Sequence, residues 1–309
     1  MLTIAGLRYF RNLIIAHRLE WPLPVNALCY STWGSLYAVS SVAELASLTI
    51  LAATLANGLL FTSGLALNSL VDVPTDERHE DKSYQAAAVR ELGREHVALW
   101  AATEAAVGIA LLAWVTLTTG HWMSLTAGLT VVALQGLYNV PPAHLKARGF
   151  AGAAAYGAAV ATTPCLLSYW AVRPDLDITT CLIFFALGVL SAGRTAWWSV
   201  PDHHADAAAG LNTPSVLHGR HQVTLASCAT MAVGLAILDV GLWWRFGPAL
   251  AALGISAHVV VLLVAFAPSL ARQSQQVALD SRRFRTRILP LVALGEAAIA
   301  TVPLVQIAL

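Results

Sequence analysis

Leu65-Ala-Leu-Asn68-Ser-Leu-Val-Asp72-Val-Pro74-Thr-Asp76-Glu77-Arg78-His79-Glu80-Asp81-Lys82 ends an uncharged apolar run over residues 47–71 and begins a strongly charged segment. A helix crossing a bilayer needs about 20 predominantly apolar residues. The run is long enough to span, and its carboxylates stand where it would leave the hydrocarbon. Asn68 and Asp72 are four residues apart and share a helical face. Pro74 has no backbone N–H and biases Val73 away from the helical region, so the helix is expected to end at Val73. Asp76 is then expected on the mouth of the following loop.

Eight further apolar runs accompany this one, giving nine candidate spans at roughly 22–41, 47–71, 97–118, 122–140, 151–171, 178–200, 222–244, 247–267 and 287–308. Backbone polar groups in hydrocarbon must be satisfied within their own segment, so each span should be helical and the fold all-α. Composition agrees: 57% of the 309 residues are apolar and 11% charged, against about 25% charged in a soluble domain. The 18 Lys and Arg nearly balance 17 Asp and Glu, and no long basic run is present, so nucleic acid is not an expected partner. Neither a linker nor a repeat divides the chain, and residues 1–309 read as one membrane-embedded domain. Cys29, Cys165, Cys181 and Cys228 lie in apolar stretches without CxxC spacing and read as small buried hydrophobes. No cleaved signal peptide is expected, because Arg8, Arg11, His17, Arg18 and Glu20 lead directly into the first apolar run.

Lysine and arginine set the orientation. With the N-terminus inside and the C-terminus outside, 15 of the 18 fall on the cytoplasmic side, Arg173 and Arg245 on the other, and Arg194 within the sixth span. The cytoplasmic loops are also the long ones, about 25 residues after the second span, 20 after the sixth and 19 after the eighth. Chemistry is therefore expected to open towards the cytoplasm in a multi-pass membrane protein.

A second acidic place, Pro201-Asp202-His-His-Ala-Asp206-Ala-Ala-Ala-Gly210-Leu-Asn-Thr213-Pro214, follows the sixth span. Asp202 and Asp206 are again four apart. Taken singly, either cluster reads equally as solvated acids at a helix end. Two such clusters on one side of a membrane suggest a shared task, holding hard divalent cations. Mg²⁺ prefers carboxylate oxygen and bridges to substrate phosphate. The absence of a Gly-rich phosphate loop and of His-rich ligand spacing argues against an ATPase and a zinc enzyme.

These residues resemble the UbiA superfamily of intramembrane prenyltransferases. Asn68-xxx-Asp72-xxx-Asp76 and Asp202-xxx-Asp206-xxx-Gly210 are similar to its two aspartate-rich motifs. Tyr138-Asn-Val-Pro141-Pro142-Ala-His-Leu145-Lys146-Ala-Arg148-Gly149 is similar to its Tyr-x-x-Pro-Pro-x-x-Leu-Lys segment. The resemblance implies nine helices around a central cavity, Mg²⁺ held by both acidic motifs, and an allylic prenyl diphosphate that ionises to a carbocation. It makes Asn68, Asp72, Asp202 and Asp206 direct or water-mediated metal ligands, with Asp76 more peripheral, and gives the three aspartates Asp72, Asp202 and Asp206 the catalytic role. Tyr138, Lys146 and Arg148 become substrate contacts, the two cations on the diphosphate, with Lys82, Arg78 and Arg194 as further candidates. Arg78 and Lys82 also fit a plain topology signal.

Trp21, Trp122, Trp170, Trp243 and Trp244 fall at span ends as interfacial anchors. Trp197 and Trp198, one turn before Asp202, read equally as belt residues or as rings shielding a carbocation. His203 and His204 read as solvated; His258, Glu296, Asp239 and Glu104 read as partners in interhelical hydrogen bonds. Two departures stand out. Glu20-Trp21-Pro22 has no cation immediately before the proline, which disfavours a benzoate-type acceptor, and the segment after Asp76 lacks the family's usual Arg-Pro run. The expected partners are thus the lipid bilayer, a prenyl diphosphate and a lipophilic or aromatic acceptor, with terpene cyclisation, which needs no acceptor, as the alternative reaction. A transporter is disfavoured because its broken helices would recur in two halves, whereas here the Pro and acidic signals cluster at one face.

On a chain lacking its four native cysteines, a single cysteine placed beside Asp76, beside Arg148 or in the 282–287 basic run should react with a membrane-impermeant maleimide only from the cytoplasmic face. Labelling of any of them from outside would refute the orientation.

Overall fold

The computed structural model describes residues 4–79, 81–266 and 284–308, and among these there is no β-strand. The helices are α1 (Ile4–Ala16), α2 (Leu23–Ala38), α3 (Leu48–Asp76), α4 (Ser83–Leu92), α5 (Arg94–Thr119), α6 (Trp122–Asn139), α7 (Phe150–Gly157), α8 (Thr163–Trp170), α9 (Ile178–Ala208), α10 (Pro214–His218), α11 (Arg220–Phe246), α12 (Pro248–Val261) and α13 (Leu289–Ala308). A π-turn over Ala158–Thr162 joins α7 to α8. Among the described residues six helical stretches are long and apolar enough to cross a membrane: Leu48–Asp76, Arg94–Thr119, Phe150–Trp170, Ile178–Ala208, Arg220–Phe246 and Thr286–Ala308. The expected spans at 22–41, 122–140 and 247–267 are occupied by the shorter helices α2, α6 and α12, of 16, 18 and 14 residues. Arg272, Arg282 and Arg283 lie outside the described residues, as does Glu80.

Neighbouring helices close into a ring: α2 packs on α3, α3 on α5 and α6, α6 on α7 and α8, α7 on α9, α9 on α11, α11 on α12, α12 on α13, and α13 returns to α2. Without a hydrophobic drive between helices in lipid, close backbone approach through small residues supplies much of the cohesion. Helix α2 also packs closely on α8. A Cβ added at Gly34 would lie 1.9 Å from the Cys165 carbonyl oxygen and 2.5 Å from Ser168 Oγ.

Two helices overrun the boundaries expected from sequence. Helix α3 continues through Pro74 to Asp76, and α9 continues through Pro201 to Ala208. Proline removes one helical hydrogen bond, but the ladder resumes at once, with Glu77 N–H donating to Val73 O at 3.1 Å. Asp72 and Asp76, one helical turn apart, are also gripped by a single guanidinium, Arg18, which holds the last turn in register. Asp76, Asp202 and Asp206 therefore stand on helices and not on loops.

Gly34→Ala should destabilise the fold by about 1–3 kcal/mol, the usual cost of overpacking a tight interface. Gly136→Ala, where an added Cβ meets nothing within 4 Å, should change the thermal midpoint little. Comparing the two in detergent checks the contact directly.

Candidate active site

The ring encloses a cavity of about 430 Å³. Asn68, Asp72 and Asp76 line it from α3, Asp202 and Asp206 from α9, and Tyr138 from α6. Asp72, Asp76 and Asp206 are buried. Ionised carboxylates out of water need compensating charge and hydrogen bonds, and three separate segments between the long helices supply them.

Arg18, in the link between α1 and α2, places Nη2 3.0 Å from Asp72 Oδ2 and 3.2 Å from Asp76 Oδ2, while its Nε donates to Ser69 Oγ at 3.0 Å. Its φ of 51° is positive, a conformation costly for a side chain with a Cβ and kept only where surroundings impose it. Burial works against its charge, but Asp76 and Asp72 outweigh that and raise the guanidinium's pKa above its ordinary value. Lys146, in the short helical turn Leu145–Ala147, donates Nζ to the other oxygen of Asp72. Lys82, at the start of α4, donates to Asp202 Oδ2 at 2.6 Å, and His79 Nε2 lies 3.2 Å from Asp202 Oδ1. Asp206 has no ion-pair partner among the described residues.

The remaining sequence candidates separate cleanly. Asn68 Nδ2 donates to Asn139 Oδ1 at 2.8 Å, so its own oxygen stays available. Tyr138 packs against Tyr156 with ring centroids 5.1 Å apart, both on the cavity wall. Arg148 is exposed, donates to the Pro142 carbonyl at 3.1 Å and is not among the cavity-lining residues. Arg78 is exposed and donates to the Ala208 carbonyl at the end of α9. Arg194 lines the cavity and pairs with Glu296. Trp198 lines the cavity with Lys82 Nζ 5.6 Å from its ring centroid. Trp197 is fully buried and packs on Phe266 at 4.2 Å, so it belongs neither to a belt nor to the cavity. His203 is bonded to the Ser215 carbonyl at 3.1 Å and is not simply solvated. His258 and Glu296 do form an interhelical network, and Glu104 does pair, with His17 at 3.1 Å. Burial alone would lower the His17 pKa, but its hydrogen bond and charge contact with Glu104 leave it raised. Asp239 makes no hydrogen bond among the described residues.

Arg18 and His79 are the residues that sequence reading missed. No spacing ties residue 18 to residue 72, and an arginine before the first span already satisfies the positive-inside rule.

Among the described residues no three His, Cys, Asp or Glu side chains are grouped closely enough to hold an ion alone. Mg²⁺ does not require such a cage, since it keeps waters and takes one or two carboxylates together with substrate phosphate. Hard oxygen donors from Asn68, Asp72, Asp202 and Asp206 around one cavity fit that chemistry.

Comparison with solved structures gives the same fold. A UbiA homologue from Archaeoglobus fulgidus bound to GPP and Mg2+ superposes with a TM-score of 0.71 at 17% identity, covering 96% of this chain and 100% of that one. The same protein bound to DMAPP and Mg2+ gives 0.69 at 16% identity, covering 96% and 99%. A structure concerned with digeranylgeranylglyceryl phosphate synthase gives 0.64 at 13% identity, covering 96% and 98%. No curated protein matches. The model of the UbiA prenyltransferase family matches residues 27–289, and the chain belongs to that family.

Proposed function

We propose that this protein is a Mg²⁺-dependent intramembrane prenyltransferase that ionises an allylic prenyl diphosphate and passes the prenyl group to a lipophilic acceptor. The observation that carries the reading is the convergence of two aspartate pairs, from α3 and α9, on one cavity, with Asp72 and Asp76 paired to Arg18 and Lys146 and Asp202 paired to Lys82. The prenyl-diphosphate and Mg2+ complexes of the archaeal homologue support it.

Bound Mg²⁺ would be held by Asn68, Asp72, Asp202 and Asp206, and it supplies Lewis-acid stabilisation of the leaving diphosphate. Arg18, Lys146 and Lys82 now share carboxylate oxygens that a divalent cation would take. Displaced from those oxygens but kept within the cavity, they become donors to the diphosphate. Their attraction grows as the C1–O bond breaks and its electron pair moves onto the diphosphate, which is the requirement for a contact to accelerate ionisation. The aromatic faces of Tyr138, Tyr156 and Trp198 line the space in which the allylic cation forms, and ring faces attract cations. The acceptor adds to C1 and releases a proton. The cavity opens to the cytoplasm, in keeping with the Lys and Arg distribution.

Terpene cyclisation is the second reading. It shares the ionisation step, and the aromatic lining favours it equally. Incubation with a prenyl diphosphate alone separates them, because a cyclic hydrocarbon or alcohol would form only in a cyclase.

Asp72→Ala and Asp202→Ala should each abolish turnover while the protein remains folded in detergent, and chelation should stop wild-type turnover until Mg²⁺ is restored. Substantial activity in either variant would sink the shared-ion site.

A planar fork and a compact ammonium do not substitute for one another at phosphate. Arg18→Lys and Lys146→Arg should therefore each lower kcat at least roughly tenfold, about 1.4 kcal/mol of transition-state stabilisation. Arg148→Lys, outside the cavity, should leave kcat and KM near wild type. Wild-type kinetics in all three would mean that only the charge of these segments matters.

A further inference from the structure

The helices that carry the acids also measure how far the cavity runs from them. Asp72 and Asp202 are the first aspartates of the two motifs, and on each helix the most distant cavity-lining residue stands eleven positions earlier, Phe61 on α3 and Ser191 on α9. Eleven helical residues rise about 16 Å. The two walls differ in character. On α9 the cavity meets the Arg194 guanidinium, about 12 Å from the level of Asp202 and balanced by Glu296. On the side of α3 and the π-turn it meets Leu65, Phe61 and Val160. An apolar chain is favoured along the second wall, where its carbons leave water without desolvating a charge.

Phe61 closes that wall. Its ring packs on Tyr30 of α2 with centroids 5.6 Å apart, and Tyr30 packs at 5.1 Å on Trp33, which is fully buried. One turn before Phe61 on α3, the buried Asn57 donates Nδ2 to the Pro164 carbonyl of α8 at 2.9 Å and lies 3.4 Å from the carbonyls of Tyr30 and Ser31. Helices α2, α3 and α8 are thus tied together next to the ring. Beside it lies a separate hollow of about 10 Å³, which shares Phe61, Leu65 and Val160 with the cavity and is walled otherwise by Gly64, Gln135 and Ala159.

We propose that Phe61, braced by Tyr30, sets the length of the prenyl donor and limits its tail to two five-carbon units. This deepens the prenyl-transfer reading above and rests on it. An extended chain advances roughly 1.2 Å per bond, so a four-bond isoprene unit takes about 5 Å. Two units and a van der Waals gap of about 4 Å to the ring use about 14 Å of the wall, and the remainder takes the C1–O bond to the diphosphate. A third unit has to fold back against the charged wall of α9 or displace the ring.

The test reads Mg²⁺-dependent thermal stabilisation of the full chain in detergent by the S-thiolodiphosphate analogues of the five-, ten-, fifteen- and twenty-carbon donors, whose C1–S bond resists ionisation. Partition of each analogue into detergent is common to wild type and variants and cancels in their ratio. Wild type should bind the ten-carbon analogue most tightly. Phe61→Ala joins the hollow to the cavity and should bind the fifteen- and twenty-carbon analogues at least roughly tenfold more tightly than wild type does, because further carbons become buried. Binding of the five-carbon analogue, whose tail stops short of the ring, should stay at wild type. Phe61→Trp should weaken the ten-carbon analogue and again spare the five-carbon one, so the length pattern is decided even if the alanine variant does not fold. A core aromatic with no part in length selection would shift all four analogues together or none of them. Either result, or wild-type affinity that keeps rising through twenty carbons, would overturn the proposal and leave the prenyl-transfer reading in place. Absence of Mg²⁺-dependent stabilisation by any analogue would overturn that reading as well.

Discussion

The architecture turns on keeping several carboxylates charged at the edge of hydrocarbon. Desolvation disfavours the ionised form, so each buried aspartate needs a cation or a hydrogen-bond donor at hand. Three segments that contribute little to the apolar ring exist in the right places for this. The link after α1 brings Arg18, the start of α4 brings Lys82, and the turn after the two prolines Pro141 and Pro142 brings Lys146. The positive φ of Arg18 is understandable on this basis, since two carboxylates and a serine hydroxyl act on one guanidinium.

Charge pairing of this kind is exchangeable in a way that apolar packing is not. A guanidinium or ammonium that neutralises a carboxylate can give up that partner to a divalent ion and take a phosphate instead, with little change in net charge across the cavity. Arg18, Lys146 and Lys82 pair with Asp72, Asp76 and Asp202, and these cations stand on the same cavity as the acids. Preorganised donors of this sort cost little reorganisation at the moment when charge develops.

The membrane character, the helical class and the two aspartate pairs were legible because each is a local pattern: runs of apolar residues, and carboxylates at helical spacing. Lys146 was legible through its proline-rich segment. The partner of Asp72 in the N-terminal link was not, because the pairing joins residues 54 positions apart and an arginine ahead of the first apolar run has a sufficient bland explanation. Arg148 erred in the opposite sense. Two residues from Lys146 in sequence, it leaves the short turn in another direction and ends on the Pro142 carbonyl. Pro74 misled for a third reason. Pro74 and Pro201 weaken one hydrogen bond each, but a lost bond ends a helix only where nothing else holds the next turn, and here Arg18 spans Asp72 and Asp76 while Lys82 and His79 hold Asp202.

Those same prolines carry a consequence for the chemistry. Pro74 follows Asp72 by two residues and Pro201 immediately precedes Asp202, so each acidic pair rides on the last turns of a long, packed helix and not on a loop. Side chains mounted on helices are placed more precisely than side chains on loops, which fixes the carboxylates of two helices around one cavity. Deeper on α9, Arg194 obeys the same rule of charge balance with the opposite outcome. Glu296 is 1% exposed and lies behind the cavity wall, so no ligand can take its place beside Arg194. At the mouth the ion pairs line the cavity on both partners; in the wall Arg194 lines it while Glu296 does not, so that pair is fixed.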